Sequence, residues 1–149
     1  MFTGFYGLAT GLMVFGLMWL LAFLRVKAQF LDMDARGEKG AFEKILASYI
    51  DLAKFIIGLA SGSIVLLVGS SALHSTPRLP DSFASPLFLL ALSVLYGILF
   101  MVWLTLNYEQ YRAHGRYSRF KYGRNLACGF SALLCFCIGY GWLIFVVTR

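Results

Sequence analysis

Four long stretches of this chain lack aspartate, glutamate, lysine and arginine altogether: residues 1–24, 55–77, 82–108 and 125–148. Charged residues make up only 13% of the 149, against about a quarter in a soluble globule, so a water-soluble fold is excluded at the outset. No charged residue or histidine lies in the middle third of any of these stretches. That absence removes the membrane-embedded ionisable group that proton-coupled carriers use. Histidine is scarce as well. His74 and His114 fall at opposite ends of the apolar stretches, too far apart to share a metal or a haem, and neither metal nor cofactor is expected. The three cysteines, Cys128, Cys135 and Cys137, all lie in the last stretch. Cys135 and Cys137 point about 200° apart on a helix and Cys128 and Cys135 are two turns apart, so neither pair can close a disulfide within one regular helix. They read as small packing residues, and the remaining segments contain no cysteine pair of the kind a membrane thiol oxidoreductase needs.

What is present is apolar length. Hydrophobic residues are 60% of the chain, and each charge-free stretch exceeds the roughly 20 residues that carry a helix across about 30 Å of hydrocarbon. Runs such as "FGLMWLLAFL" and "SVLYGILFMVWL" do not alternate as the strands of a barrel would. The sequence therefore predicts one all-α membrane domain over residues 1–149, a bundle of four transmembrane helices over 5–24, 52–73, 86–106 and 126–147.

The charges that exist are unevenly shared. Of the thirteen lysines and arginines, only Arg78 and Arg149 lie outside the segments 25–54 and 109–124. Basic residues in short loops resist export, so 25–51 and 107–125 are expected as cytoplasmic loops, 74–85 as an external loop, and both termini outside. The first apolar run is preceded by no charged side chain and followed by Arg25 and Lys27, the reverse of a signal peptide, and is expected to be retained. The asymmetry points to the inner (plasma) membrane of a bacterium. The first basic segment is nearly neutralised by Asp32, Asp34, Glu38, Glu43 and Asp51, whereas the second sets only Glu109 against Arg112, Arg116, Arg119, Lys121 and Arg124. Interleaved with Tyr108, Tyr111, Tyr117 and Tyr122, it could suggest nucleic acid. Tyrosine and lysine at the headgroup level fit an anionic-lipid contact better, and nucleic acid is not expected as a partner.

Local patterning refines the helices. Phe42, Ile45, Leu46, Tyr49 and Ala53 recur at helical spacing, so the second helix is expected to start near Ala41, ahead of its membrane span. "HSTPRLPDSFASP" gathers all three prolines into a short link, with Ser85 before Pro86 reading as a helix cap, and makes helices two and three antiparallel neighbours. Gly7 and Gly11 on the first helix, and Gly58, Ser61, Gly62, Ser63 and Ser70 on the second, supply small faces for helix packing or, in an oligomer, for lining a pore. Asp51 and Lys54 are spaced to pair at the interface.

No catalytic constellation stands out, and no family signature is carried. The first helix holds no carboxylate of the kind small multidrug exporters need, and "FEKILASYIDLAKF" lacks the interior arginine and asparagine of small membrane glutathione transferases. The leading expectation is a non-catalytic accessory or scaffold subunit associating with itself or another membrane subunit. An oligomeric pore or membrane-perturbing effector, of the kind used in phage defence or toxin immunity, is the alternative, and a small four-helix membrane enzyme comes third. In a cysteine-free background, Phe2→Cys and Thr148→Cys should react with an impermeant maleimide added to intact spheroplasts. Gly37→Cys and Gly115→Cys should react only after lysis.

Overall fold

The computed structural model describes residues 2–25, 41–73, 81–114 and 119–148, with side chains over 6–24, 47–69, 82–110 and 120–148. It is all-helical over those residues: α1 (Phe2–Arg25), α2 (Ala41–Leu73), α3 (Ala84–His114) and α4 (Arg119–Val147), with a short 3-10 turn at Asp81–Phe83. Each α-helix contains one span long and apolar enough to cross a membrane, namely Tyr6–Leu24, Ala47–Gly69, Ala84–Gln110 and Phe120–Val147. A helix satisfies its own backbone groups in hydrocarbon, where no water is available to do so. The protein is a multi-pass membrane protein.

The helices outrun the expected spans. α2 begins at Ala41, where the apolar spacing of Phe42 to Ala53 places its start. The segment 107–125, expected as a loop, is helical at both ends, because α3 continues to His114 and α4 starts at Arg119. Counting charge finds the stretch that must sit in hydrocarbon; it does not find where a helix stops, since lysine and arginine are tolerated in turns that reach the headgroups. The link 74–85 is likewise shortened, with α3 starting at Ala84 behind the 3-10 turn. Ser85, expected as a cap, is instead the second residue of α3 and is buried. Pro86 follows in the first turn, where its missing N–H leaves no intrahelical bond unmade. At the far end, the backbone N–H and the hydroxyl of Thr148 both donate to the Ile144 carbonyl at 3.0 Å, closing the last turn of α4.

Neighbouring residues fix the helix directions. Along α3, Ser85, Leu92 and Tyr96 meet Gly7, Gly11 and Phe15 in turn, so α1 and α3 run the same way. Leu89, Ser93 and Asn107 meet Gly139, Ala132 and Asn125, so α4 runs against α3. Gly97 and Phe100 meet Ile57 and Tyr49, which makes α2 antiparallel to α3 as well. The ends of α1 and α3 and the starts of α2 and α4 therefore share one end of the molecule, which carries most of the basic residues.

The arrangement is not an even four-helix bundle. α3 packs on all three other helices, whereas α1 and α2 make no contact among the described residues. α1, α3 and α4 enclose a core of Leu89, Tyr96, Ala132 and Cys135, flanked by Val14, Phe15, Leu92 and Leu99. α2 lies outside this core against α3.

Small residues set how closely the core helices approach. A Cβ on Gly7 would stand 2.5 Å from the Ser85 carbonyl oxygen, and one on Gly11 would run into the Leu92 side chain. On α4 the seam against α3 is Cys128, Ala132, Cys135 and Gly139, and a Cβ on Gly139 would lie 3.0 Å from that of Leu89. Cys128 and Cys135 are buried and free, while Cys137, also free, faces outward and has no part in the seam. Gly7→Ala is expected to destabilise the fold by about 1–3 kcal/mol, since backbone must shift to admit the methyl group. Gly16→Ala, with nothing within 4 Å of the added carbon, should cause no loss. Unfolding in mixed detergent micelles measures both.

Candidate functional site

Uncharged polar side chains inside the helices mark where the structure concentrates its chemistry. Asn107 on α3 donates through Nδ2 to Oδ1 of Asn125 on α4 at 3.1 Å, with each residue only 3% exposed. Deeper along the same seam the Ser93 hydroxyl donates to the Ala132 carbonyl at 2.7 Å. The Tyr96 hydroxyl reaches the Gly11 carbonyl at 3.4 Å while its ring stacks on Phe15. These bonds tie α3 to α4 and to α1 in a medium that offers no competing water. The Ser131 hydroxyl, fully buried, has no hydrogen-bond partner among the described residues.

The asparagine pair sits beside a second cluster at the basic end. The Arg124 guanidinium lies 3.9 Å over the Trp103 ring, and its Nε is buried without a hydrogen-bond partner. Stacking on indole favours a partly desolvated cation. Lys121 donates to the Gln110 side chain, and Phe120 meets Trp19 edge-on, joining α1 to this layer.

On the other side of Asn125 a cleft of about 230 Å³ opens between α2, α3 and α4. Its existence follows from the way α2 is held: it leans chiefly on α3 and meets α4 only slightly. Gly97 admits Ile57, whose Cγ1 would lie 3.0 Å from an added Cβ, and Gly129 makes room for the Phe100 ring. The walls are apolar, from Leu52 and Ile56 on α2 through Leu104 on α3 to Leu126 and Leu133 on α4. Polar groups gather at one end, where Tyr49, Tyr122 and Asn125 lie at the level of the asparagine pair. All of the lining falls within the membrane spans.

The residues singled out from sequence are dispersed. Gly7 and Gly11 lie between α1 and α3. Gly58 and Gly62 are exposed on α2 with nothing within 4 Å of an added Cβ. Ser61 and Ser63 are partly exposed, and the Ser63 hydroxyl bonds back to the Leu59 carbonyl at 2.8 Å. Lys54 and Asp51 pair at 3.6 Å, but with side chains 66% and 75% exposed the pair adds little stability. Ser70, Arg112, Arg116 and Arg119, with His74 and His114, lie outside the residues whose side chains are described. Among the described residues no group of three histidine, cysteine, aspartate or glutamate side chains could hold a metal ion.

Asn107, Asn125, Trp103 and Ser93 escape a reading built on charge, because each falls inside or at the border of a charge-free stretch. The signal that would have found them is an amide or hydroxyl in an apolar run, which needs a partner from another helix. Compared with protein-family models, curated proteins and solved structures, the chain matches none. The site is read from its own geometry.

Asn107→Ala and Asn125→Ala should each destabilise the protein by about 1 kcal/mol, and the double variant by less than the sum, with a coupling of about 0.6–1.7 kcal/mol. A double-mutant cycle of unfolding in detergent checks the pair.

Proposed function

We propose that the chain is a non-catalytic integral-membrane subunit that associates side by side, with a second copy or with another membrane protein, through the outer face of α2. One observation carries this reading. α2 packs chiefly on α3, meets α4 only slightly and makes no contact with α1 among the described residues, and Gly58, Gly62 and Gly69 follow one line of its surface with nothing within 4 Å. In lipid, small residues four apart let two helix backbones come close, and association draws on dispersion contacts and weak interhelical bonds. Within the molecule such faces are occupied at Gly7, Gly11 and Gly139; on α2 the face is left for a partner.

The remaining features support a placement for the subunit. The clustering of lysine and arginine at one end fits the inner (plasma) membrane with that end in the cytoplasm and both chain termini outside. The excess positive charge of 109–124, from Arg112 to Arg124, suits contact with anionic lipid there. The alternative is a pore, in which Ser61 and Ser63 of several copies would face a lumen; Ser63, bonded to its own helix, offers such a lumen little polarity.

Native mass spectrometry in mild detergents, with and without membrane cross-linking, is expected to show a dimer or a hetero-complex. Gly58→Leu with Gly62→Leu should abolish it while leaving the fold intact, because the substituted positions touch nothing within the subunit. A lone monomer across several mild detergents would defeat the proposal, and ion conductance in planar bilayers would replace it with the pore.

A further inference from the structure

We propose that the cleft between α2, α3 and α4 is a binding site for one acyl chain of an anionic phospholipid, with the headgroup at the basic end of the molecule. A cleft of about 230 Å³ exceeds the roughly 150 Å³ of an apolar cavity that stays dry and takes up benzene. Its walls of leucine, isoleucine and phenylalanine offer water no partners, and its lining lies inside the membrane spans, where the filling medium is acyl chain.

The direction of the chain follows from the polarity of the walls. From Leu133 through Phe130 and Leu126 the α4 wall is apolar; it turns polar at Asn125 and Tyr122, opposite Tyr49 of α2. Aromatic hydroxyls of this kind sit at the boundary between chains and headgroups. Continued one turn outward, the same line of α4 reaches Arg119, the first residue of the helix. A headgroup at the mouth of the cleft therefore lies at the level of Arg119, whose positive charge favours an anionic lipid over a zwitterionic one.

The site is independent of the proposed assembly through α2. Ala53 and Ile56 turn toward the cleft and the core, while Gly58 and Gly62 occupy the opposite side of the helix. A seated lipid would leave that outer face free.

Native mass spectrometry after reconstitution with equimolar phosphatidylglycerol and phosphatidylcholine tests the proposal. The wild-type protein should keep one phosphatidylglycerol under collisional activation that strips other lipids. Ala53→Phe, which fills the cleft, should lose that adduct about tenfold or more, while Gly141→Phe, placed where nothing lies within 4 Å of the added carbon, should retain it. Arg119→Gln should keep a lipid adduct but reduce the preference for phosphatidylglycerol by about fivefold. Circular dichroism and a single elution peak establish that each variant is folded; should Ala53→Phe fail this, Leu126→Trp takes its place. Equal retention of the two lipids by the wild type, or an undiminished adduct in a folded cleft-filling variant, overturns the proposal. Either result leaves the oligomer measurement untouched.

Discussion

Once helices are in lipid, packing a leucine against another leucine gains little over leaving it among acyl chains. What holds such helices together is how closely their backbones approach and whether their polar groups find partners. The structure is organised around that constraint. Large apolar side chains such as Leu12, Leu66, Phe88 and Phe145 point outward, whereas the core contacts run through Gly7, Gly11, Ala132, Cys135 and Gly139. Many large apolar residues thus face outward where a soluble domain would bury them, while Leu89, Leu90 and Tyr96 stay inside.

The interhelical hydrogen bonds follow the same logic and grade along the axis. Tyr96 and Ser93 bond to backbone carbonyls near the middle, and the Asn107–Asn125 pair lies nearer the basic end. Beyond it come Arg124 over Trp103, Lys121 with Gln110, and Phe120 against Trp19. One side of this layer is packed solid by α1, α3 and α4. The other side, where α2 stands away from α4, is open as the cleft.

Much of the fold was legible in the chain. The four charge-free stretches correspond to four helices, with Pro77 and Pro80 ahead of α3 in sequence and Pro86 in its first turn. The early start of α2 was visible in the spacing of Phe42, Ile45, Leu46 and Tyr49. The end of α3 and the start of α4 were not, because a lysine or arginine in the headgroup region is compatible with helix and loop alike. Partner choice was hidden too. Gly58 and Gly62 present the same small-residue spacing as Gly7 and Gly11, yet one set is packed and the other open, since spacing says that a helix can be approached and not by what. The asparagine pair lay out of sight because hydrogen bonding between helices depends on register, which a single sequence does not print. Cys128 and Cys135 illustrate the opposite case: read as small packing residues, they occupy the seam of α3 and α4, while Cys137, read the same way, lies on the far side of the helix and is exposed.

The missing contact between α1 and α2 has a bearing on how the molecule is made. A nascent chain emerges from its N-terminus, so α1 and α2 reach the bilayer before α3 and α4. They have nothing to say to each other. α1 finds its native neighbours only when α3 and then α4 have been synthesised, and until that moment its glycine face is covered by lipid or by the insertion machinery. Completion of the core thus waits for the last helix, and a ribosome halted before α4 would leave α3 to hold α1 and α2 with the seams that α4 fills still open.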